Sequence, residues 1–343
     1  ERWEAFSVVP KVKILIGFHQ IVTKIGMLYH VTMPAEVRRL LERFEIVISL
    51  GLDIRMPFEC SGASQYETTL IVWLLLPVVL VIALFLVGLV YCHLQPQAAI
   101  HWSLPLILRA MFLLYTIVNA KAFEAFPCYD FGPDGRWLIA DVSVRCGTAE
   151  HARIKAWAWI GIALYPIGWT TMTALLLFAA RKPISSLAKP NALSDALAFV
   201  YKEYLPLFFW WEIPEMFRRF FLVGLLSIVK PGSVLQLLLA SIFCVVFLLV
   251  QLQIQPFKNQ INNYLAVCTS TSLTMIFLSC YVLKVKTLTE TKEVRDVLSP
   301  KLRDIFDVPA AIISIIMFAS IVGTLAFCAL LLIHQAAEQR KKE

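Results

Sequence analysis

Five stretches of this chain run for more than twenty residues without an Asp, Glu, Lys or Arg: residues 69–92, 156–180, 231–257, 259–283 and 308–337. A bilayer hydrocarbon core about 30 Å thick takes roughly 20 predominantly apolar residues per helix, so each stretch has the length of a membrane span. Two more, residues 102–120 and 207–229, are long enough but carry charge: Arg109 in the first, and Glu212, Glu215, Arg218 and Arg219 in the second. Composition agrees with a membrane protein, since 59% of residues are hydrophobic and 16% charged, whereas about a quarter are charged in soluble domains. The expected fold class is all-α, a polytopic transmembrane helical bundle of seven spans.

The first 60 residues read as a juxtamembrane segment and residues 61–343 as the bundle. Within the first part, residues 12–33 are apolar but interrupted by Lys13, His19, Gln20, Lys24 and His30. That leaves an N-terminal crossing or a re-entrant or interfacial segment as the two readings. Residues 34–52 place Val37, Leu40, Leu41, Phe44, Val47 and Ile48 at helical spacing among charged residues, the pattern of an amphipathic helix resting on headgroups. The chain starts at Glu1 rather than Met and shows no leader pattern, so it reads as a piece of a larger protein.

Sidedness comes from cysteines, because Lys and Arg are spread over loops at both ends of the spans and charge counting does not decide. Cys60, Cys128 and Cys146 all fall in loops that the seven-span arrangement puts on one face. Cys128 and Cys146 share one polar loop, and a disulfide between them would add about 3 kcal/mol by closing it. Such a bond needs an oxidising compartment. That face is then extracellular or luminal, in the plasma membrane or a secretory-pathway membrane, with the C-terminal tail cytosolic. No CxxC and no His pair stands nearby to favour a metal instead.

Charge inside a span costs on the order of 2.5 to 3.5 kcal/mol on insertion scales, which singles out residues for function. Arg109 is expected to pair with an acid inside the bundle. In Trp210–Gly224, Glu212, Glu215 and Arg219 share a helical face, and Arg218 joins them. Two readings stay open there: charges at the cytosolic boundary beside Trp210 and Trp211, or a charged gate facing a cavity. Residues 259–283 are rich in polar groups, Asn262, Asn263 and Thr269 among them, as either a helix-packing face or a pore lining requires. No Walker loop, HExxH or GxSxG occurs, so no enzyme activity, cofactor or metal is expected. The net charge of +7 comes without a basic-aromatic patch, and no nucleic-acid partner is expected.

The sequence also contains, in order, KVKILIGFHQIV (11–22), FEC (58–60), FPCYDFGPDGRWLIADVSVRC (126–146) and YPIG (165–168). VYKEYLPLFFWWEIPEMFRRFFLVG (200–224), PGSVLQLLLA (231–240) and QPFKNQINNYLAV (255–267) follow. This order resembles the transient-receptor-potential-like (TRP-like) multi-pass module at the C-terminal end of large proteins with ephrin-receptor-like cysteine-rich repeats, found in algae and other single-celled eukaryotes. The resemblance extends to about Lys286. It implies an extracellular repeat region upstream in the same protein and an ion-channel role.

The expected function is a cation-permeable or mechanically responsive channel-like module. Glu212, Glu215, Asn262 and Asn263 would line a cytosolic vestibule, with Arg218, Arg219 and Thr269 along the path. The bilayer, further copies of the chain and the upstream domain are the expected partners. A membrane anchor or transducer for a receptor or adhesion protein is the first alternative, and a lipid scramblase the second.

Overall fold

The computed structural model describes residues 8–48, 65–185, 191–297, 299 and 308–340, and it is almost entirely helical. Its main helices in chain order are α1 (Val8–Leu28), α2 (Ala35–Ile48), α3 (Gln65–Tyr91), α4 (Pro96–Phe123) and α5 (Ala149–Ala179). They continue with α6 (Glu212–Arg219), α7 (Val234–Ile254), α8 (Gln260–Thr289) and α9 (Ala310–Arg340). Six of them, α3, α4, α5, α7, α8 and α9, are long and apolar enough to cross a membrane. The chain is therefore a multi-pass integral membrane protein.

The seventh expected span, residues 207–229, is not one apolar helix. It is broken into a 3₁₀ turn Pro206–Phe208, the eight-residue α6, a π turn Phe220–Gly224 and a 3₁₀ turn Leu225–Ile228. Pro206 starts the first piece, Pro214 is confined to the first turn of α6, and four charges lower its hydropathy. The chain clusters into two compact units, Glu1–Leu50 with Val229–Glu343, and Gly51–Ile228.

In the unit 51–228, α4 is the central helix, and its Met111, Leu114 and Val118 share a core with Leu70 and Trp73 of α3 and Ile154 of α5. Pro77 inside α3 removes a backbone donor. Close by, the hydroxyl of Tyr165 donates to the Leu74 carbonyl. Tyr165 stands in a π turn, Ala163–Trp169, that interrupts α5. Gly168 fits that turn because a Cβ there would meet the Ala163 carbonyl at 2.8 Å.

Between α4 and α5 lies a small hairpin, β1 (Cys128–Asp130) paired antiparallel with β2 (Arg136–Leu138). Leu138 and Val144 are fully buried in the same core as Leu114 and Ile154, so the loop is seated on the end of the bundle. The expected Cys128–Cys146 disulfide is present. Asp141 Oδ2 accepts the Tyr66 N–H at the start of α3, and Arg153 donates twice to Glu67 at 2.7 Å. Cys60 lies outside the described residues.

In the unit formed by 1–50 and 229–343, α8 packs against α7, α9 and α1. The α1 helix is buried on much of its surface, and its Lys11, Lys13, His19 and Gln20 are buried with it. Its C-terminal end is fixed by Gln236, which donates to the Leu28 carbonyl at 3.2 Å, and by Tyr29 against Phe277 at 5.2 Å. Part of the amphipathic stripe of α2 is covered by protein: Val37 and Leu41 are buried, Phe44 lies 4.7 Å from the His19 ring, and Glu45 pairs with Lys24 at 2.5 Å.

Candidate functional site

The charges of residues 200–224 converge in the unit 51–228. With 3.6 residues per turn, Glu212 and Arg219 of α6 fall on one face, seven residues apart. Arg219 Nη2 reaches Glu212 Oε1 at 3.1 Å, while the Tyr204 hydroxyl donates to Glu212 Oε2 at 3.0 Å. All three are buried, at 2%, 4% and 3% exposure for Arg219, Glu212 and Tyr204, which rules out a freely solvated headgroup position for this pair. Burial, reinforced by the Glu212, Glu203 and Glu215 carboxylates, pushes the Tyr204 hydroxyl well above the usual tyrosine range and keeps it a donor.

The same guanidinium lies over the rings of Phe112, at 4.6 Å, and Tyr115, at 5.7 Å, both on α4. Arg218 pairs separately with Glu215 at 2.6 Å. So the four predicted charges are brought together as two opposite-sign pairs. A cavity of about 20 Å³ adjoins the inner pair, lined by Phe112, Tyr115, Thr173, Glu212, Met216 and Arg219. That is room for about one water molecule.

Arg109 corrects its expectation. It is exposed, lies 6.0 Å from the Phe199 ring, and makes no ion pair among the described residues. Its neighbour Leu108 packs with Leu177 and Ala180, at the end of α5 just before Arg181 and Lys182. Arg109 therefore stands level with a helix end, where an arginine needs no buried acid.

In the other unit, the predicted lining residues have structural duties. The Asn263 amide accepts the Phe257 N–H and donates to the Phe257 carbonyl, each at 3.0 Å, pinning the turn that follows Gln255 in its left-handed conformation at φ +46°. The Thr269 hydroxyl donates back to Ala266 within its own helix, and Ser270 donates to Gln251 of α7 at 2.5 Å. Of the three expected lining residues in this unit, Asn262 keeps a buried acceptor, Oδ1, without a partner.

Two residues were missed from the sequence. His151 Nδ1 accepts the Gly147 N–H at 3.2 Å and its Nε2 stands 3.1 Å from the Ala125 carbonyl, so both ring nitrogens are engaged in holding the disulfide loop to the end of α4. Although Cys128, Cys146 and His151 lie within metal-ligand reach of one another, the sulfurs are bonded together and the imidazole is occupied. Asn119 is the second. It is fully buried in α4, and neither its amide nitrogen nor its oxygen has a hydrogen-bond partner. An unmade buried hydrogen bond costs about 1 to 3 kcal/mol. The signal was a lone amide in a span whose one charge is Arg109, one turn beyond Tyr115.

No family model, no curated protein and no solved structure matches this chain.

Proposed function

We propose that this chain is a channel-like membrane module for cations, with the Glu212–Arg219 pair as its closed gate. The observation that carries the proposal is an interrupted helix bearing a buried ion pair beside the central helix of its unit. Irregular backbone at membrane depth is tolerated where it is buried in protein or lines a water-filled path, and broken helices mark substrate and ion sites in transporters.

The same proposal makes residues 206–228 a seventh crossing. Ile213 packs beside the Leu108–Leu177 end of the unit, whereas Phe220 and Ile228 pack beside Phe123, Phe126 and Ile162 near the hairpin. From Leu108 to Phe123 is 15 residues of α4, about 22 Å at the helical rise, and residues 206–212 extend the path further. An α1 crossing makes eight. Its start lies near Cys328 toward the end of α9, and its end near Gln236 at the start of α7. With the disulfide face extracellular or luminal, this order leaves the C-terminal tail and the start of α1 cytosolic, so an extracellular domain upstream needs a further crossing before it. The resemblance to the TRP-like module supports the channel reading and stays part of the proposal.

Reconstituted in vesicles, the protein should pass monovalent cations under voltage, stretch or calcium, and Glu212→Gln, which releases Arg219, should raise the resting flux several-fold. Absence of flux under all three stimuli in both proteins would sink the channel reading. The anchor or transducer reading draws on a different observation: Asn263, Thr269 and Ser270 spend their polar groups on internal bonds. Transfer of fluorescent lipid between leaflets without ion flux would point to a scramblase.

A further inference from the structure

On α4, Phe112, Tyr115, Asn119 and Phe123 recur at spacings of three and four residues, which places them on one face. Contacts along that face show that it meets the broken segment. Arg219 lies over Phe112 and Tyr115, the Tyr115 hydroxyl donates to the Met216 carbonyl at 3.3 Å, and the tilted rings of Phe123 and Phe220 lie 6.0 Å apart. Asn119 sits between these contacts, about 6 Å along the helix from Tyr115 by the helical rise. It faces Gly224, where a Cβ would come within 2.8 Å of the Asn119 oxygen. Gly224 ends the π turn, and the segment changes there to a 3₁₀ turn, so its backbone ladder is interrupted opposite the amide.

Every other polar side chain on this face is accounted for, Tyr115 by Thr170 and Met216, and Glu212 with Arg219 by each other. Among the described residues, Asn119 alone is fully buried with both an idle donor and an idle acceptor. A leucine would fill the same space without that penalty. An amide suits the position when it meets something small that can both donate and accept, or a hard cation that takes a carbonyl oxygen as ligand.

We infer that Asn119 is a cation- and water-contacting position on a polar line that extends the Glu212 cavity toward the hairpin end, between α4 and residues 206–228. This rests on the channel reading. Phe123, buried one turn further along with its ring against Phe220, closes the line at that end. The path so defined lies within the unit 51–228 and uses none of Asn262, Asn263 or Thr269.

The test is chemical accessibility in the full chain reconstituted in vesicles, read without any flux measurement. Asn119→Cys is treated with the small cation 2-aminoethyl methanethiosulfonate, and labelling at that position is followed by peptide mass. Val118→Cys is the control: Val118 is one residue away and equally buried, but it faces the core shared with Leu70 and Trp73. The expected result is that the thiol introduced by Asn119→Cys is modified at least ten times faster than the one introduced by Val118→Cys. Equal rates, or no modification of either, overturn the inference. If Asn119→Cys fails to assemble, Ser227→Cys answers the same question, because Ser227 is buried and bonded to the Gly224 carbonyl at 2.7 Å. Labelling without flux would reject the channel reading and leave the wet line standing. Flux without labelling would reject the line alone.

Discussion

At the scale of single residues, Arg219 carries the most electrostatic weight. Its side chain is 3% exposed, it pairs with a 6% exposed Glu212 side chain, and two aromatic rings of α4 flank it. Two charges taken out of water gain from each other about what their desolvation costs, whereas one left alone is expensive, about 3 to 5 kcal/mol. Arg219→Met should therefore destabilise the protein strongly, and the double variant Glu212→Leu with Arg219→Met should recover most of the loss. Thermal unfolding in micelles checks this, and a double variant as unstable as the single one would mean that the pair is not the compensating unit. The sequence revealed that opposite charges shared a face at this place, because i, i+3 and i+4 spacing is local. It could not reveal which acid meets which arginine. That depends on Tyr204, which claims one oxygen of Glu212 across a break in the helix.

At the scale of elements, the long uncharged runs were legible because apolar transfer adds up residue by residue and needs no partner. Residues 206–228 were harder to read. Their place beside α4 is held by Arg219 over Phe112 and Tyr115 and by Phe220 against Phe123, not by hydropathy. The polarity of α8 was visible but its meaning was not, since a hydroxyl that bonds its own helix looks the same in sequence as one that lines water. These roles separate by mutation. Asn263→Ala removes two bonds to Phe257 and should cost about 1 to 3 kcal/mol, with Thr269→Val nearly neutral, because its hydroxyl serves only Ala266. Stability measurements on both variants decide it. A Thr269→Val variant that keeps its stability but alters cation flux would return that residue to the path.

For the whole molecule, six spans are set by hydropathy, and the crossings proposed for residues 206–228 and α1 decide which loops share a side. If residues 206–228 cross, Lys230 lies on the same side as the disulfide loop. If they do not, Lys230 shares the side of Lys182, at the far end of α5. Single cysteines introduced at Asp134, Lys182 and Lys230, probed in intact cells with a membrane-impermeant maleimide, distinguish the two arrangements directly. A crossing by residues 206–228 gives labelling at 134 and 230 from outside and at 182 only after permeabilisation. Labelling of 230 together with 182 would contradict it.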